Sequence, residues 1–530
     1  MSGMFDKKTE KAQRKQAITE KQAKAKKKSR IITISVIVVF ALVLTTALII
    51  NSNFIRRTAP VLTIDGINFN TAEFEYFFNV QYQMYMEQLS QSGMEGMGPS
   101  RERPFRDQIA WTDPETGIVE TWADILYGMT TERLTYLVAF YNTANNYGFK
   151  LSEEQLEAVE FEIEMLKFEA SLYNRSADSL LQIMYGPSMN VKTFRNVLTF
   201  TAIAEYFSEY SRESFNFTND QLNEFYNEHA DEYDVHSYRI ILIYAEMPDR
   251  IDFIDDEEGY ELAVDEAVDE AFELALSIAE EVTTEDEFIA AAINYNEEQY
   301  SEPDSTLQRQ QGRNIGLETD IAIWLNDPAR AYGDVTAIPA GNVNTVVFYI
   351  SRNDNNYHTL SMNQLLILRE RVDPFDFEGF ENDPEYIKAV EAADKEATER
   401  AEDIYQKFID AGGTKEALLD LIEEYSDENT PDGYYDNISL FSFRGVDFVA
   451  MRVSIELENW LFDENRQVGD IELIKTADHG YHLTMFAGEG DIFAHLIARD
   501  RMRTEAHNDW VENLPKGEPK KHFMFILVHM

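Results

Sequence analysis

The chain has 530 residues, 44% apolar and 12% aromatic, with a formal net charge of −50 and no cysteine. That length exceeds a single core and points to about three domains. The apolar share excludes global disorder, and the lack of cysteine excludes disulfides, thiolate metal sites and a cysteine nucleophile. Residues 1–30 hold eleven Lys/Arg against three acids, so the other 500 residues carry 35 basic and 93 acidic groups. A body so acidic repels phosphate backbones, and nucleic acid is not an expected partner.

In chain order, residues 31–50 (IITISVIVVFALVLTTALII) come first, twenty positions without a charge. As a helix they span roughly 30 Å, a bilayer core. Lys26, Lys27, Lys28 and Arg30 abut the start, which by the positive-inside rule leaves a basic cytoplasmic tail over 1–30 and puts the bulk of the chain outside. A cleavable signal peptide is the competing reading. It calls for a shorter apolar run and an A-x-A-like site, and neither is present, so a single-pass anchor in the cell membrane is expected.

Residues 59–69 read as a hairpin turning at Asp65-Gly66, and Thr71 is the expected N-cap of the helix that follows. Helical periodicity runs to about residue 235, with starts at Ser152 and Thr218, a break at Tyr185-Gly186-Pro187, and an expected mobile loop, rich in Gly, Pro and Met, over 92–118. Phe74, Tyr76, Phe77, Phe78, Tyr82, Met84, Tyr85 and Met86 form an aromatic and methionine-rich set. It suits either loose capture of apolar segments or a core.

At Ser237 the period changes to that of a buried strand, 238–244, followed by a helix over 260–281. The acids Asp255, Asp256, Glu257 and Glu258 lack the spacing of a calcium loop and read as a solvated turn. A repeat then emerges. Trp324-Leu325-Asn326-Asp327-Pro328-Ala329-Arg330-Ala331-Tyr332-Gly333-Asp334 returns 136 residues later as Trp460-Leu461-Phe462-Asp463-Glu464-Asn465-Arg466-Gln467-Val468-Gly469-Asp470, six of eleven positions being identical. Each copy is preceded by a strand and two helices and closed by a strand, 343–350 or 479–486. Two tandem α+β domains of order β-α-α-α-β are expected, over 236–355 and 356–490, with a further strand before each closing one left open. A C-terminal helix over 491–513 and an apolar strand-like end, His522 to Met530, complete the chain and are expected to pack on the helical domain.

The second copy reads Glu424-Tyr425-Ser426-Asp427, Leu457-Glu458-Asn459-Trp460-Leu461-Phe462, Gly469-Asp470 and Gly480-Tyr481-His482-Leu483. It resembles the parvulin (PpiC-type) pattern. The entry VLTIDGINFNTAEFEYFFN resembles the first domain of PrsA- and SurA-type chaperones. The resemblance spans most of 59–513 and implies an α+β multidomain foldase held at the membrane: a helical chaperone domain over 59–235, two parvulin-like domains with small antiparallel sheets, and a tail over 491–530. Such a protein would isomerise X–Pro bonds in unfolded, newly secreted polypeptides, without a cofactor or a metal.

In the parvulin pattern two histidines and a cysteine or aspartate lie beside an apolar proline pocket. Carried over, the resemblance implies His482 and Glu428 as the catalytic pair, with Met451, Val453, Leu457 and Phe462 as substrate-binding residues. Gln364 stands where the first-strand histidine is expected. In the first copy Ile240 takes that place, the 136-residue offset puts Val346 opposite His482, and Ile321 matches Leu457, so this copy is expected to be inactive. His482 also fits a buried histidine that ties the sheet together, and Trp324 and Trp460 fit core anchors. His479 and His482 lie three apart on a strand and face opposite sides, which argues against a metal pair. The alternative function is a holdase whose parvulin-like domains only bind clients.

Overall fold

A computed structural model describes residues 24, 26–30, 32–45, 53–377, 383–428, 430–440, 453–476 and 480–528. Residues up to Ser214 together with those from His507 form one compact unit, and Phe215–Ala506 form a second. The architecture is mixed α/β with small antiparallel sheets.

In the first unit, α1 (Lys26–Thr45) is long and apolar enough to cross a membrane, and none of its apolar stretch is buried in protein. The expected span continues into residues 46–52, which lie outside the described residues. After α2 (Phe54–Thr58), β1 (Pro60–Ile64) and β2 (Ile67–Asn70) form the hairpin. Asp65 and Gly66 both have positive φ, 42° and 81°, as a two-residue turn between twisted strands requires. Asn70, not Thr71, caps α3 (Thr71–Gln91). Its side chain accepts from the Glu73 N–H at 3.1 Å and its own N–H donates to the Glu73 carboxylate at 2.9 Å. Asn70 is the extended residue that ends β2, which leaves Thr71 as the first helical position.

The stretch 92–118 holds more structure than its composition led one to expect. It contains 3₁₀ turns at Glu95–Met97 and Phe105–Asp107 and the strand β3 (Ile109–Thr112), which pairs as a short hairpin with β4 (Val119–Thr121) just beyond it. The buried Gln108 amide pins it, donating to the carbonyls of Ser100 and Arg103 at 2.7 and 2.8 Å. Four helices follow: α4 (Trp122–Tyr147), α5 (Glu153–Leu172), α6 (Ala177–Tyr185) and α7 (Val191–Glu213). Thr121, Ser152, Ser176 and Asn190 cap their starts, and Gly148, left-handed at φ 72°, ends α4. They close over a core of Phe74, Phe77, Phe78, Leu126, Ile163 and Phe207.

The second unit opens with α8 (Asn219–Glu228), capped by Thr218, and α9 (Ala230–Tyr233). The first copy follows as β5 (Val235–Tyr244), α10 (Glu257–Glu281), α11 (Glu285–Tyr295), α12 (Glu297–Tyr300), β6 (Leu307–Gln311), α13 (Gly312–Ile315), α14 (Asp320–Leu325), β7 (Val335–Ile338) and β8 (Val343–Asn353). The second copy is β9 (His358–Leu368), α15 (Pro384–Asp410), α16 (Lys415–Tyr425), β10 (Tyr434–Ile438), α17 (Ile455–Leu461), β11 (Ile471–Thr476) and β12 (Gly480–Ile492). The expected order thus gains a strand before the last helix, β6 or β10, as well as the one before the closing strand. Asp256 of the acidic loop is the N-cap of α10, accepting from the Gly259 N–H at 3.0 Å.

Helix α18 (Phe493–Glu512) begins among Leu222, Tyr226 and Tyr233. Where an apolar strand was expected from His522, β13 (Lys520–Lys521) pairs with β1 and a 3₁₀ turn, Phe523–Leu527, follows. The turn sets the Phe525 ring 5.2 Å from both Phe74 and Tyr127. Residues 529 and 530 lie outside the described residues.

Candidate functional site

The two copies share one frame. Their sheets have the orders β6-β5-β8-β7 and β10-β9-β12-β11, antiparallel throughout. The repeated segment makes the same bonds twice. Arg330 lies 4.6 Å over Trp324 and Arg466 lies 4.0 Å over Trp460. Gly333 N–H donates to Tyr349 O at 3.1 Å and Gly469 N–H to Phe486 O at 2.9 Å, while Tyr349 and Phe486 donate back to Asp334 O and Asp470 O, each at 2.9 Å. Each closing strand then carries one unpaired residue at the same place, Ile350 or Ala487, a bulge that bends it.

These bonds correct the alignment of the closing strands. Tyr349 matches Phe486, an offset of 137, because the chain between the paired residues Ile474 and His482 is one residue longer than that between Ile338 and Thr345. The residue at the place of His482 is therefore Thr345, not Val346. Val346 packs on the helix-covered face with Ile241, Ala275 and Phe288. A one-residue slip moves a strand residue to the opposite face, so the distinction matters.

In the second copy one face of the sheet carries Leu365, Ile367, Leu483 and Met485 against α15 and α16. The opposite face carries Met362, Gln364, His482, Thr484 and Phe486. There His482, 6% exposed, sits in a line of polar groups. Its Nδ1 is 3.0 Å from Gln364 Oε1, its Nε2 is 3.3 Å from Thr476 Oγ1, and Gln364 Nε2 donates to the Glu428 carboxylate at 3.3 Å. A carboxylate only accepts, so Glu428 fixes the Gln364 amide with its oxygen toward His482. Nδ1 therefore carries a proton and donates to the Gln364 oxygen, while Nε2 lies beside the Thr476 hydroxyl, which also faces Gly480 O at 3.5 Å. Beyond Glu428, burial and then the carboxylate raise the Tyr435 hydroxyl above its ordinary pKa and keep it a neutral donor. Gln364 takes the place of the missing histidine by bridging the two candidate catalytic residues.

The local chain explains why these groups converge. Gly480, at φ 115°, admits β12 so close to β9 that a Cβ there would lie 2.3 Å from Ile367 O. The Tyr425-Ser426-Asp427 segment extends the β9 edge. Ser426 Oγ and Asp427 Oδ2 accept from the N–H groups of Leu366 and Leu368 at 3.2 and 2.8 Å, and Asp427 N–H donates to Leu366 O at 2.9 Å. Burial opposes ionisation of Asp427, but two 2.7 Å bonds from Arg400 and the Leu368 N–H hold its carboxyl below the usual range. This segment delivers Glu428 to the sheet.

Of the expected substrate-binding residues, Val453 and Leu457 are buried in a cluster with Met362, Trp460, Ile474 and Phe486, on the face that carries His482. Phe462 is half-buried against that cluster, 6.0 Å from Tyr357. Met451 and His479 lie outside the described residues. Glu428 also lines a cavity of 520 Å³ with Ile422, Ser426, Thr430 and Asp432, on the α16 side and apart from the apolar residues. Among the described residues no group of three His, Cys, Asp or Glu could hold a metal ion.

In the first copy the matching face, Thr345 aside, is largely apolar: Tyr238, Ile240, Ile321, Trp324, Leu325 and Val347 fill it. One polar group escaped the sequence reading. His236 lies on that face at the place of Leu360, is 0% exposed, and has neither ring nitrogen bonded among the described residues. Burial, then Arg352, push its pKa down to about 4, with Asn326 and Asp231 opposing. The alternation 236, 238, 240 along one strand was the signal that would have found it.

In the first unit, the aromatic set on α3 is largely core. Phe74, Phe77 and Phe78 are buried, Tyr76, Tyr82, Tyr85 and Met86 are half-buried, and Met84 alone of the eight is exposed. The chain matches no protein-family model and no curated protein.

Proposed function

We propose that the protein is a membrane-anchored parvulin-type peptidyl-prolyl cis-trans isomerase, acting outside the cytoplasm on newly secreted chains, with its activity in residues 356–490. The observation that supports this reading is the line His482–Gln364–Glu428 beside the apolar group of Val453, Leu457 and Phe462 on one sheet face. Rotation about an X–Pro bond must overcome about 18–20 kcal/mol of amide resonance, and no bond is made or broken. The twisted amide has lost charge separation, so a site that holds the proline ring in apolar surroundings and excludes water favours it over the planar form. Val453, Leu457 and Phe462 are the ring-holding surface in this reading. The fixed imidazole and carboxylate set the polar edge against which the flanking carbonyls align.

The test is cis/trans isomerisation of short X–Pro peptides by the full-length protein in lipid nanodiscs. His482→Ala and Phe462→Ala should return the rate to the uncatalysed one, and Thr345→Ala in the first copy should leave it unchanged. A second reading, a holdase of the same architecture, is favoured by two facts. Both ring nitrogens of His482 are already engaged, and the equivalent face of the first copy is filled. No acceleration by the wild-type protein across varied X residues, with aggregation of an unfolded chain still suppressed, would establish that reading instead.

A further inference from the structure

Helix α5 is apolar on two opposite faces. At 100° per residue, Val159, Ile163, Leu166 and Ala170 fall together and are buried in the core of the first unit. Phe161, Met165, Phe168 and Leu172 fall about 180° away at spacings of four, three and four, and are 62%, 46%, 59% and 64% exposed. Single exposed apolar residues are ordinary, whereas a continuous row on one helix face marks a contact surface. Spacings of three and four make it a coiled-coil seam, with Phe161 and Phe168 at d and Met165 and Leu172 at a. Ala158, the a position one turn earlier, lines a cavity of 530 Å³ between α5 and α7 with Leu198, Ala202 and Tyr206, so the seam continues into a recess.

The flanks of the seam select its occupant. Four of the e and g positions are glutamates, Glu157, Glu162, Glu164 and Glu169, with Gln155 and Ser171 at the ends, and the whole helix has seven glutamates against one lysine. Lys167 engages Glu164 and Arg195 engages Glu160, which leaves the rim strongly negative. A second copy would set glutamate rows against each other, and an anionic lipid surface would be repelled. A helix with apolar a and d positions and Lys or Arg at e and g would cover the seam and answer the rim.

We infer that the outer face of α5 docks a cationic amphipathic helix of a partner polypeptide, in coiled-coil fashion. The inference goes beyond the isomerase reading and stands whether or not residues 356–490 act on X–Pro bonds.

The experiment uses the full-length protein in phosphatidylcholine nanodiscs, with signal from empty discs subtracted. The probe is a fluorescein-labelled peptide of about three heptads, with Leu at a and d and Lys at e and g. Its twin carries Glu at e and g. Fluorescence anisotropy should show the lysine peptide binding about tenfold tighter than its twin, and more weakly as salt rises. Phe161→Ser with Phe168→Ser should weaken it by about tenfold or more. Glu157→Gln, Glu162→Gln, Glu164→Gln and Glu169→Gln together, all exposed, should bring the twins within about threefold of each other. Equal binding of the twins to the wild type, or unchanged binding by the two-serine variant, overturns the proposal. A dimer of the protein itself that the serine substitutions abolish assigns the seam to a second copy and overturns it too.

Discussion

The two copies of the second unit keep the same frame and differ in what it surrounds. The Trp–Arg stack, the Gly-Asp turn and the bulge in the closing strand recur bond for bond. Gln364, His482 and Thr484 on one sheet answer to Ile240, Thr345 and Val347 on the other. A frame built from backbone bonds and one stacked pair is indifferent to what the open face carries, so that face can diverge without loss of fold. The second copy has a buried polar line in which one amide bridges an imidazole and a carboxylate. The first has an apolar filling and, further along the same face, a histidine with no hydrogen-bonded ring nitrogen among the described residues.

The largest expected effects test whether the frame does the same work twice. Trp460→Ala should destabilise the second copy by about 4 kcal/mol, because the ring is buried and its Nε1–H donates to Glu472 at 2.7 Å. Trp324→Ala should cost less, about 2–3 kcal/mol, since that ring is only half-buried. Amide exchange in β12 and in β8 reports the two copies separately. Equal protection losses would mean that the stacked pair, rather than burial, carries the frame.

A somewhat smaller effect separates the copies by pH. The pKa of His236 is depressed to about 4 in the folded chain, against about 6.5 unfolded. The unfolded state then binds more protons between these values. The stabilising contribution is whole above about pH 6.5 and falls by about 3 kcal/mol as pH drops to 4. His236→Leu, which installs the residue found at Leu360 in the second copy, should flatten the pH dependence of β5 exchange over that window and leave β9 unchanged. A β5 profile that stays steep in the variant would place the titrating group elsewhere.

What was legible in the sequence was local. The Asp65-Gly66 turn, the Ser152 and Thr218 caps and the break at Gly186 each depend on a few adjacent residues. The repeat was legible because a Trp, an Arg and a Gly-Asp turn must keep their spacing to meet. Strands β6 (LQRQQ) and β10 (YYDNI) were not, being short polar edge strands whose pairing is supplied by a neighbour far along the chain. His482 could be named from its strand, but Gln364 looked like a loss until cross-strand geometry showed it bridging to Glu428. Thr345 was hidden because the closing strand runs one residue out of step with the 136-residue repeat. The seam on α5 was missed because two opposed apolar rows blur the single-face periodicity by which helices are read.

The smallest effect is the sharpest check on equivalence. Gly333 and Gly469 occupy the same turn at φ 91° and 94°. A Cβ on Gly333 would approach nothing nearer than Thr283 O at 3.9 Å, and one on Gly469 would meet nothing within 4 Å. Alanine at either position therefore costs only the left-handed backbone penalty, about 1–2 kcal/mol, with no clash to separate the copies. Gly333→Ala and Gly469→Ala should lower exchange protection of β8 and β12 by the same amount, within about 0.5 kcal/mol. A difference larger than that would mean that one turn is held by contacts its partner lacks, and that the frame has diverged along with the face it supports.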